Sequence, residues 1–62
     1  HFDEAIAVAR EVVARNADNV DAHKVLGVAY GEKKQKKLAQ QHLKRAAELG
    51  DENAVQLMKK YK

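Results

Sequence analysis

The stretch HKVLGVAYGEKKQKKLAQQHLKRA, residues 23–46, keeps a glycine in the middle of a helical pattern and then places four lysines within five positions. Leu26, Ala29 and Tyr30, with Ala22 just upstream, recur at three- and four-residue spacing and mark one face of a helix. Gly27 sits inside that run, where it costs about 1 kcal/mol of helix propensity relative to Ala. Closer packing against a neighbouring helix can offset that cost. After the lysines, Leu38, Ala39, Leu43, Ala46, Ala47 and Leu49 continue the same periodicity. The stretch reads as two helices joined by a short charged turn.

The flanks extend the pattern. Upstream, Phe2, Ala5, Ile6, Ala9, Val12 and Val13 form an apolar stripe, with Arg10, Glu11 and Arg15 on the other face. That helix ends in the polar NADN at 16–19, where Asp18 or Asn19 supplies the cap of the next one. Downstream, Gly50 stands where a left-handed C-terminal cap belongs. Asp51 or Asn53 then opens a short helix, in which Ala54, Leu57, Met58 and Tyr61 make an i, i+3, i+4, i+7 stripe and Lys59, Lys60 and Lys62 lie near the negative end. The spacing predicts four helices near residues 2–15, 20–32, 36–49 and 53–61.

Composition supports the all-α reading. The chain has 62 residues, no Pro, three Gly, and an abundance of Ala, Lys, Glu, Gln, Val and Leu. So short a chain buries only about 60% of its unfolded surface, and with no Cys it has no disulfide to compensate. The opening HFDEAIA, without an initiator Met or a leading loop, suggests a chain cut from a longer protein or trimmed by processing. No signal peptide is visible, and the longest apolar run, AIAVA at 5–9, is too short for membrane insertion. Nothing in the composition points to a compartment. The net charge of +3 is concentrated after residue 33, a tilt compatible with an acidic partner or with solubility alone.

Shifting the sequence by 34 residues lays Ala5 on Ala39, Ala9 on Leu43, Val12 on Ala46 and Asn19 on Asn53. The residues His23, Leu26, Gly27 and Tyr30, followed by Ala39 and Leu43, resemble the tetratricopeptide repeat (TPR), whose pattern runs Trp-x2-Leu-Gly-x2-Tyr, then Ala-x3 and a large apolar residue. The resemblance covers residues 2–53. It implies one TPR-like domain of antiparallel helix hairpins from an α-solenoid, about one and a half repeats: 2–19 the second helix of a partial repeat, 20–53 a complete repeat, 54–62 a capping or next-repeat helix. Gly27 then faces Ala39 at the crossing of the paired helices. His23 replaces the usual large aromatic, and Ala17 and Asp51 stand where Pro is common.

What the resemblance implies for function is a protein-interaction module that binds a peptide or partner helix and scaffolds an assembly. Asp21, Lys24, Val28, Gly31 and Glu32 would face a concave groove, joined by Glu52 and Asn53 at the repeat junction. Lys24 matches one half of the carboxylate clamp found in some members, but Val28 occupies the place of its Asn. The helix preceding Phe2 in a full array would cover part of the stripe Phe2, Ile6, Ala9 and Val13. That stripe is therefore expected to be partly exposed and to drive a homo-oligomer through the first helix.

Other chemistry finds little footing. A basic module binding nucleic acid through Lys33–Lys37 is the alternative, but no aromatic interleaves the run to stack on bases. His23 and His42 face each other across the helix pair in this reading, yet two imidazoles without a carboxylate or Cys form a poor metal site, so no metal or cofactor is expected. Tyr30 and Tyr61 read as packing residues, and Asp3 and Glu4 as compensation of a helix dipole. The chain has no Ser, Thr or Cys to serve as a nucleophile and no glycine-rich phosphate loop, so no enzymatic role is expected.

Overall fold

In the computed structural model, which describes residues 1–62, the chain forms four helices: α1 (Phe2–Arg15), α2 (Val20–Glu32), α3 (Lys36–Glu48) and α4 (Glu52–Lys60). Each packs on the next in chain order, and the result is a compact all-α bundle of 26 × 24 × 15 Å.

The helix ends follow from particular residues. Asn19 caps α2 by accepting from the Ala22 N–H at 2.9 Å, and Asp51 caps α4 by accepting from the Ala54 N–H at 3.2 Å. These caps lie two residues short of the 34-residue spacing that relates α1 to α3, so α2 and α4 are out of that register. At the end of α3, Gly50 adopts φ +104°, and the N–H groups of Gly50 and Asp51 reach back to the carbonyls of Ala47 and Ala46. This is a Schellman cap with glycine at its left-handed position. The same double bond closes α2, where Lys34 and Gln35 bond to Gly31 and Tyr30, but here the left-handed residue is Lys34, at φ 64°.

The core is narrow. Leu26 and Leu43 are the large side chains that are fully buried, and six of the ten core apolar residues are alanines: Ala9, Ala22, Ala29, Ala39, Ala46 and Ala54. Alanine yields less transfer free energy than Leu, whose full burial is worth about 1.5–3 kcal/mol, but it lets backbones approach closely. Gly27 shows how closely. A Cβ built there would lie 2.5 Å from Leu43 Cδ2 and 3.4 Å from the Ala39 carbonyl oxygen, so the glycine does occupy the α2–α3 crossing, against Leu43 foremost.

Polar ties hold the hairpins in register. Gln40 Nε2 donates to the carbonyls of Met58 at 2.8 Å and Tyr61 at 3.0 Å, fastening the end of α4 to α3. Arg45 reaches Asp18 at 2.6 Å, across the two hairpins. No buried side-chain polar atom is left without a partner.

Candidate binding groove

The N-terminal end of α1, one face of α2 and the first half of α4 enclose an open trough of about 420 Å³. Phe2 and Ala5 form one wall, Asn53 and Leu57 the other, and Lys24, Val25, Val28 and Ala29 the floor. Phe2 is 44% exposed and Val25 42% exposed, large apolar surfaces that nothing in the chain covers.

The charges at its edge are neutralised within the chain. Lys24 Nζ lies 3.0 Å from Asp51 Oδ2, both side chains being largely shielded, and that bond holds the Asp51 carboxyl below its ordinary range. Lys33 pairs with Asp3 at the start of α1, which lowers the Asp3 carboxyl in the same way. Lys24, the one charged residue of the lining, is thus paired, and the rest of the lining favours an apolar ligand.

Of the groove residues expected from sequence, Lys24, Val28 and Asn53 line this trough, and Asp21 and Glu52 are exposed outside it. Gly31 and Glu32 do not face it, because α4 ends against them. The Tyr61 ring covers Gly31, where a Cβ would meet its Cγ at 2.6 Å, and the Tyr61 hydroxyl donates to Glu32 Oε2 at 2.6 Å. That hydrogen bond raises the Tyr61 pKa above its ordinary value.

The four residues of the expected self-association stripe differ in exposure. Ile6 and Ala9 are buried against Ala22, Leu26 and Ala29 of α2, Val13 is half-buried, and of the four only Phe2 is exposed. One chain already covers most of the stripe, since the floor helix α2 lies beneath it. Val8, 63% exposed, is the other large apolar residue of α1 left open.

Sequence reasoning missed Phe2, Ala5, Val25, Ala29 and Leu57 as groove residues. The available signal lay in α2, where Val25 and Val28 add apolar positions beyond the stripe of Ala22, Leu26 and Ala29. A helix apolar on more than one face is either sandwiched or floors a cleft.

A second hollow, of about 550 Å³, opens on another side between α1 and α3, lined by Arg10, Val13, Ala14, Leu26, Tyr30, Leu38 and His42. Next to it, His23 Nδ1 and His42 Nδ1 are 3.2 Å apart, and His23 Nε2 lies 2.6 Å from the Ala17 carbonyl oxygen. A carbonyl only accepts, so Nε2 of His23 carries the proton, and the Nδ1 of the neutral ring accepts from His42. The ring of Tyr30 stacks on His42 with centroids 5.8 Å apart. Burial, and then repulsion from the His23 ring whenever that ring is protonated, hold the His42 pKa below its ordinary 6.5.

In the lysine run, Lys33 is engaged by Asp3, Lys34 is the left-handed cap residue, and Lys36 and Lys37 begin α3. No helix is long and apolar enough to cross a membrane. Comparison with protein-family models, with curated proteins and with solved structures gives no match.

Proposed function

We propose that this chain is a protein-interaction module of the TPR type, which takes the apolar face of a partner's amphipathic helix into the trough between α1, α2 and α4. The observation that carries the reading is a groove floored by Val25, Val28 and Ala29 and walled by Phe2 and Leu57, whose neighbouring charges are already paired. The antiparallel helix pair crossing at Gly27 supports the repeat-type architecture, an α-solenoid fragment that scaffolds an assembly.

A helix suits the trough because residues at i, i+3, i+4 and i+7 present one continuous apolar stripe without unpaired backbone groups. Each side chain that becomes fully buried adds about 1.5–3 kcal/mol, against an association cost of about 4–15 kcal/mol. Four anchors at the upper end of that gain, against the lower end of that cost, net about 8 kcal/mol, so about micromolar is the tightest binding the trough supports.

The test is a display selection of helical peptides against the protein, repeated against Val25→Glu after circular dichroism has verified its fold. Selected peptides should share the helical apolar spacing, and the variant should lose them at least tenfold. A selection that enriches nothing, or peptides that bind the variant equally, would refute the reading. Concentration-dependent dimerisation abolished by Val25→Glu would identify the occupant as a second copy of this chain instead.

A further inference from the structure

The contact between His23 and His42 has the nitrogen-to-nitrogen spacing of a chelating pair. Two imidazole nitrogens bound to one tetrahedral ion, each at about 2.0–2.1 Å, stand about 3.3 Å apart. The two Nδ1 atoms here are 3.2 Å apart, on helices α2 and α3 that cross closely over Gly27 and Leu43.

The His23 ring is held as a metal ligand is held. Its Nε2–H donates to the Ala17 carbonyl at 2.6 Å, an outer-shell bond that selects the tautomer with its Nδ1 lone pair directed at His42. His23 itself is 6% exposed, and its ring and that of His42 stack at 5.4 Å, which restricts both. His42 requires one change to ligate through Nδ1: its proton moves to Nε2. That nitrogen has no protein partner and is not sealed from solvent, so the neutral ring can exchange tautomers with no net loss of a proton. His42 also lines the hollow beside Tyr30 and Leu38, which leaves room for water on the ion.

The geometry points to a zinc-class metal site in which His23 Nδ1 and His42 Nδ1 are the two protein ligands and water fills the remaining positions. Imidazole donors select Zn²⁺, Ni²⁺ or Cu²⁺ over Mg²⁺ and Ca²⁺, which require oxygen. No group of three or more His, Cys, Asp or Glu side chains gathers anywhere in the molecule. Arg10 lines the same hollow and opposes a cation. The site is therefore weaker than a four-ligand structural centre, and its open positions can accept a donor from a partner.

Zn²⁺ titration, followed by imidazole ¹H–¹⁵N spectra that resolve all three histidines, tests the proposal. The Nδ1 signals of His23 and His42 should shift together and saturate at one ion per chain. His42→Gln should weaken binding at least tenfold, whereas His1→Ala should leave the coupled shifts of His23 and His42 unchanged. A response confined to His1 would overturn the site, as would separate saturation of the two rings or undiminished affinity in His42→Gln. The wild-type spectra decide the matter even if a variant fails to fold.

Discussion

Gly27→Ala separates two effects that ordinarily act in opposite directions in a helix. Alanine raises helix propensity by about 1 kcal/mol. The new Cβ, however, would lie 2.5 Å from Leu43 Cδ2 and closer still to Cγ. Ordinary carbon contacts are about 3.5–4.0 Å, so Leu43 must retreat by about 1–1.5 Å. Leu43 is fully buried and cannot rotate into solvent, which places the cost in the usual overpacking range of about 1–3 kcal/mol. The net expectation is a loss of about 1 kcal/mol in urea denaturation followed by circular dichroism. The decisive measurement is the same substitution in a Leu43→Ala background, where the obstructing atoms are gone. There Gly27→Ala should become stabilising by about 1 kcal/mol, a reversal of sign that helix propensity alone cannot produce. Because Leu43→Ala itself costs about 2–5 kcal/mol, all four proteins are compared in an osmolyte that keeps them folded. If Gly27→Ala has the same sign in both backgrounds, Leu43 does not set the approach of α2 and α3.

Lys34 adopts φ 64° at the cap of α2, so Lys34→Gly should stabilise by about 1 kcal/mol, and a lower urea midpoint would contradict that reading. Gln40→Met removes both bonds to the end of α4 and should cost about 1–2 kcal/mol, with amide exchange accelerating at residues 58–61; unchanged exchange would show that Gln40 is not the fastening. In the metal-free protein the lowered His42 pKa means that the unfolded chain binds the extra proton first, so stability should be full above about 6.5, decline as pH falls through 6.5, and level off below the folded value. A separate decline follows at more acid pH as Asp3 and Asp51, lowered by Lys33 and Lys24, take up protons; His42→Gln should abolish the upper step alone.

The helix spans were legible in the sequence to within about one residue, because their ends are local chemistry: an Asn or Asp cap, a left-handed glycine, a lysine turn. The spacing predicts 36–49 and 53–61, and the helices run Lys36–Glu48 and Glu52–Lys60. Which of two adjacent polar residues caps a helix was not legible, since Asp18 and Asn19 offer the same acceptor and only the chain's path selects Asn19. The left-handed turn at Lys34 was hidden for a related reason. Glycine or asparagine would have advertised that conformation, and lysine does not. The groove was legible only in part. Lys24, Val28 and Asn53 line the trough, but its wall of Phe2 and Ala5 depends on where α1 crosses α2, a tertiary distance that periodicity does not encode. Gly31 and Glu32 lie outside the trough because Tyr61, read from sequence as a packing residue, packs on them.

A core built mostly of alanines explains why polar contacts bear so much of the molecule's specificity. Alanine faces permit close approach, but their small, similar side chains discriminate poorly between neighbouring registers of two helices. The register here is pinned where donors meet acceptors: Gln40 on the carbonyls of Met58 and Tyr61, His23 between Ala17 and His42, Lys24 on Asp51. Each tie joins residues from different elements, and none lies in the floor of the groove apart from Lys24, whose charge Asp51 already occupies. The bundle thereby satisfies its polar groups internally while Phe2 and Val25 stay open to solvent. A trough whose one charged lining residue is paired and whose apolar side chains are open can gain from a partner chiefly by excluding water, so its binding should depend weakly on salt and carry a negative heat-capacity change.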